Sequence, residues 1–145
     1  MFDAIDRLQR EIDNMHSFGG ADYSSGVWMP AFTGFSADPT AICRYVLVGR
    51  MCTLFVYMTA PGTSNETFFT MTLPFIAATV TNMIWINAAM IYDNGTNVST
   101  HGAAFILTGD NILYVARYPY YGSWSSWTNV NGKMASFTLS YEIVR

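Results

Sequence analysis

A chain of 145 residues with a formal charge of −3 has room for one substantial core and a small appendage. Only 12% of its residues are charged and 16% are aromatic, whereas an ordinary soluble chain is about 25% charged. Lys133 as the sole lysine and the lack of a basic run argue against a nucleic-acid role. The most apolar stretch, Leu73 to Tyr92, is interrupted by Pro74, Thr79, Thr81, Asn82 and Asn87, which argues against a membrane-spanning helix.

In the first residues, Ile5, Leu8, Ile12 and Met15 stand three, four and three apart. This spacing predicts a short coiled-coil helix over residues 1–16, with Ile5 and Ile12 at a and Leu8 and Met15 at d. Asp3 caps it weakly, and acidic residues near its start suit the helix dipole. Two heptads are too short to stand alone in water, so the segment calls for partner copies. Ile at a with Leu at d favours two strands, but Met15 replaces one Leu, so the seam leaves dimer and trimer open. A lone helix folded back on its own domain is the alternative. The N-terminus is acidic and amphipathic, unlike a secretory leader.

Gly19 and Gly20 end the helix, and residues 17–26 are expected to form a flexible linker. From Val27 the period becomes two. Strands are expected at 27–33, 42–48, 51–59, 67–73, 83–92, 101–108, 111–118 and 133–144, with loops at 34–40 and 60–66 and turns at Gly49-Arg50, Asp93-Asn94-Gly95 and Gly109-Asp110. About eight strands and no later helix give an all-β domain over 27–145. Its expected form is a jelly-roll-like β-sandwich, with a β-barrel of other strand order as the alternative. Cys43 and Cys52 flank the Gly49 turn out of register with each other, which favours two buried thiols over a disulfide.

Reactive groups are sparse. His16 belongs to the helix end and His101 stands alone; Asp38, Glu66, Asp93, Asp110 and Glu142 read as separate turn residues. No spacing suggests a glycosidase pair, phosphate loop, zinc site, calcium loop or nucleophile elbow, so neither an enzyme nor a cofactor or metal site is expected. The sequons at Asn65, Asn94 and Asn97 carry little weight in an Asn- and Thr-rich chain. The most suggestive surface is Tyr118, Tyr120, Tyr121, Trp124 and Trp127, interleaved with Gly122, Ser123, Ser125 and Ser126. Aromatic faces beside small hydroxyls suit sugars and protein partners, and equally suit packing on an adjacent subunit. The polar segments 60–66 and 93–101 are further candidates for a contact tip.

Four segments carry a resemblance: WMPAFTGFS (Trp28 to Ser36), RYVLVGRMCTLFVYM (Arg44 to Met58), FFTMTLPFIA (Phe68 to Ala77) and KMASFTLSYEIV (Lys133 to Val144). Together they resemble the small trimeric β-domains of tailed-phage fibres, baseplate receptor-binding proteins and capsid fibres. The resemblance implies a non-enzymatic homotrimer located on a virion. Its helix would meet other virion proteins, and its β-domain would face outward toward a host-surface glycan or receptor. A purely structural decoration or connector protein, and a soluble carbohydrate-binding module, are the rival readings.

Overall fold

The computed structural model describes residues 4–11, 23–66, 68–93, 96–117 and 132–144, with backbone alone at 96–101. Residues 4–11 form a helix, α1. Among the described residues eleven strands follow: β1 (Tyr23–Val27), β2 (Phe32–Thr33), β3 (Phe35–Ala37), β4 (Thr40–Val48), β5 (Met51–Ala60), β6 (Gly62–Ser64), β7 (Phe69–Thr72), β8 (Ile84–Asp93), β9 (Thr96–Leu107), β10 (Ile112–Arg117) and β11 (Gly132–Glu142). Among the described residues all strand pairings are antiparallel, in the order β1-β4-β5-β11-β8-β9-β10-β7-β2, with β6 joining β3 to β11.

The two ends of this path are β1 and β2, and only Trp28 to Ala31 connects them. Such a link spans at most roughly 17 Å, so the sheet must curl until its edges nearly meet. The Trp28 indole N–H donates to the Thr72 carbonyl at 3.1 Å, and the Ala31 amide donates to Thr72 Oγ1 at 2.9 Å. The result is an all-β, sandwich-like fold behind a short N-terminal helix, as the period-two pattern requires.

Alternation fills the inside of the curl. Cys52, Leu54, Val56 and Met58 of β5 point inward, as do Ala135, Phe137, Leu139 and Tyr141 of β11. Phe69, Met71, Ala104, Ile106, Leu113 and Val115 close the core from the other side. Burying a side chain of this size contributes about 1.5–3 kcal/mol. Tyr141 also donates its hydroxyl to the Phe75 carbonyl at 2.8 Å, which satisfies the one polar atom it brings inside.

Several expectations need correction. The strand expected at 27–33 breaks at Pro30: β1 ends at Val27 and β2 begins at Phe32, because proline cannot donate to a ladder. β1 also starts at Tyr23, so residues 23–26 of the expected linker are strand, paired to β4 from Tyr23↔Val48 to Val27↔Arg44. The expected loops at 34–40 and 60–66 hold β3 and β6, which pair through backbone with little side-chain patterning. The cysteines, by contrast, are as expected: Cys43 lies opposite Val56 and Cys52 opposite Leu47, and both thiols are free and buried. Burial pushes the Cys43 thiol up to about 11.

Candidate functional site

Strand direction gives the domain two distinct ends. β1 starts at Tyr23, opposite Val48 and beside the β4–β5 turn at Gly49 and Arg50. The end of β11 lies there too, where Arg50 Nε approaches Glu142 Oε1 at 3.3 Å. Residues 73–83 close this end: the Ala78 amide donates to the Glu142 carbonyl at 2.8 Å, and the Ile143 amide to the Arg50 carbonyl at 2.8 Å.

At the opposite end, three connections have their roots together. Lys133 faces both Gly62 and Asp93 across the β11 ladders, and Arg117 faces Gly102 at the top of β10. The roots of the segments 60–66 and 93–101 are thereby brought beside Arg117 and Gly132, between which Tyr118, Tyr120, Tyr121, Trp124 and Trp127 lie in the sequence. Those five residues fall outside the described ones.

The root cluster contains buried charge. Lys133 is 0% exposed and Asp93 is 2% exposed. The Lys133 ammonium donates to the Glu66 carbonyl at 2.8 Å and stands 5.1 Å from the Phe35 ring centroid and 5.9 Å from that of Phe69. Asp93 Oδ2 accepts from Arg117 at 3.0 Å. Burial pushes the Lys133 ammonium down to about 8, while the Asp93 and Glu66 carboxylates pull it part of the way back. Taken from the sequence as separate turn residues, Asp93 and Glu66 in fact act on one lysine. Parity along β11 marks Lys133 as an inward position: counting back by twos from Phe137 and Ala135 reaches it.

Ile5 and Leu8 lie on α1 and are 61% and 58% exposed. Ile12 and Met15, which would extend the seam, lie outside the described residues. Asp110 accepts from the Tyr114 hydroxyl at 3.0 Å and from the Asn111 amide, a turn role.

A feature missed in the sequence is the outer face of the sheet. A solvated antiparallel face ordinarily carries polar residues. Here the register runs Ile42, Tyr57, Ser136, Met90 straight across β4, β5, β11 and β8. A second row runs Val27, Arg44, Phe55, Thr138 across β1, β4, β5 and β11. Tyr57 and Met90 are each 59% exposed. The signal was available in Leu54 to Met58, where apolar residues are consecutive rather than alternating, the mark of a strand covered on both faces.

Compared with known proteins, the chain matches no family and no curated protein.

Proposed function

We propose that the protein is a non-enzymatic structural subunit of a virion, a homotrimer that presents the loop end of its β-domain for host-surface attachment. The observation that supports this reading best is the polarity of the chain. The N-terminal segment feeds the sheet at Tyr23, while the roots of the 60–66, 93–101 and 118–131 segments gather at the other end. One end is then available to other virion proteins through residues 1–16, and the other to a glycan or receptor. Loops carried on a rigid sheet are the usual place for recognition.

The test is binding of the fluorescently labelled protein to whole bacteria and to a panel of purified bacterial surface polysaccharides. Wild type should bind, and a Trp124→Ala, Trp127→Ala variant should bind at least roughly tenfold more weakly, as loss of aromatic anchors requires. Unchanged binding by the variant would remove the aromatic segment from the site. Wild type that attaches to particles through residues 1–16 yet binds no surface would be a decoration or connector protein. Glycan binding by a protein absent from particles would make it a soluble carbohydrate-binding module.

A further inference from the structure

We infer that the outer face of β4, β5, β11 and β8 is covered by a second copy of this chain. The inference rests on the oligomeric reading above and adds the surface through which the copies meet.

Size is the first argument. Ile42, Phe55, Tyr57, Met90, Ile84 and Ile86 are all exposed on these strands. Each of the six is between 42% and 59% exposed, and isolated monomers rarely leave a contiguous apolar patch of more than roughly 300–600 Å² in water. An apolar face four strands wide is the kind of surface that a partner copy covers.

Charge is the second argument. In the two rows across the face, Arg44 is the only charged side chain, with Glu142 at the rim beside Arg50. Between the apolar residues stand the small hydroxyls of Ser136 and Thr138, and beyond them Thr53 and Ser140, whose hydroxyl oxygens lie 2.8 Å apart. A face so nearly neutral can meet a copy of itself around an axis without like-charge repulsion, which costs several kcal/mol when partners are mismatched. An open hollow of about 530 Å³ lined by Ile42, Arg44, Phe55, Tyr57, Ser136 and Thr138 offers room for side chains from the opposing copy.

A third, separate observation favours a copy over a foreign protein. On the same chain, Ile5 and Leu8 of α1 are also exposed and spaced three apart. A chain with two unpartnered apolar surfaces, one of them a coiled-coil seam, satisfies both by self-assembly.

Two measurements test this. Sedimentation equilibrium should give wild type as an oligomer and the Tyr57→Lys, Met90→Lys double variant as a smaller species with an unchanged β spectrum. Both positions are exposed, so lysine there leaves the core intact. A variant that keeps the wild-type mass overturns the face assignment while the oligomer stands; a monomeric wild type overturns both. The second measurement is thiol labelling of Thr138→Cys, with Asp38→Cys as an exposed control and Cys43 and Cys52 buried. Thr138→Cys should be blocked in the oligomer and label on dilution to monomer, while Asp38→Cys labels throughout. Free labelling in the oligomer overturns the proposal. So does protection that persists in the monomer, which would mean the chain's own residues cover the face.

Discussion

Replacing Lys133 with Met should change how stability depends on pH more than it changes stability at any one pH. Met keeps the length of the side chain and adds a sulfur that packs well against the rings of Phe35 and Phe69. At neutral pH the gain from removing a buried cation is opposed by loss of the bond to the Glu66 carbonyl and of the ammonium's attraction for Asp93, which keeps Arg117 as its partner. The larger effect is linkage. The ammonium is lowered from 10.5 to about 8 in the folded protein, which at 1.36 kcal/mol per unit corresponds to about 3 kcal/mol. Below pH 8 both states hold the proton, and the folded state bears that cost in full. Between about 8 and 10.5 the unfolded chain still holds the proton while the folded one has released it, so the stability of wild type rises with pH. Above 10.5 the cost is gone.

The variant lacks this rise. Its stability relative to wild type should therefore fall by about 3 kcal/mol from pH 7 to pH 10.5, at a slope near 1.4 kcal/mol per unit. Burial raises Cys43, Cys52 and Tyr141, which works in the opposite direction at high pH. Those groups are common to both proteins and cancel in the difference. Urea unfolding at fixed protein concentration from pH 7 to 10.5 measures it; the concentration must be held constant because assembly shifts apparent stability. A difference constant within about 0.5 kcal/mol across that range would refute the claim that Lys133 is buried as a strained cation.

Two further outcomes follow from other parts of the molecule. Gly34→Ala should destabilise the domain by more than about 1 kcal/mol in the same assay, because Gly34 has φ +90° and a Cβ there would lie 2.3 Å from the Phe68 carbonyl oxygen; wild-type stability would show that this turn relaxes freely. Ile12→Asp should leave the oligomer's sedimentation unchanged at micromolar concentration, since two heptads contribute little beside an apolar sheet face four strands wide. Dissociation to monomers would make the helical seam the principal contact.

How much of this was legible in the sequence differs from element to element. The long strands β4, β5, β8, β10 and β11 were readable because alternation or apolar runs of adequate length mark them. The short strands β2, β3 and β6 were not, because two or three residues leave no period and their pairing is decided by the closing of the curl. The inward set of β11 is the odd-numbered one, Ala135 to Tyr141, and the same parity places Lys133 inside. A lysine at the strand's start gives no apolar signal by which to extend that parity. Burial of its charge depends on Asp93, Glu66 and Arg117 arriving from three other connections, which no local pattern records. The apolar outer face was written in the run Leu54 to Met58, yet Tyr57, Ser136 and Met90 become neighbours only through register.

We propose an oriented virion subunit, attached at its helical end and recognising at its loop end, and a density map of the assembled particle is the most direct test. Copies of the domain should lie around a threefold axis, with residues 4–11 directed into the particle and the ends of β8, β10 and β6 directed outward. A map with the loop end buried against the particle and the helix outermost, or particles without the chain, would contradict it.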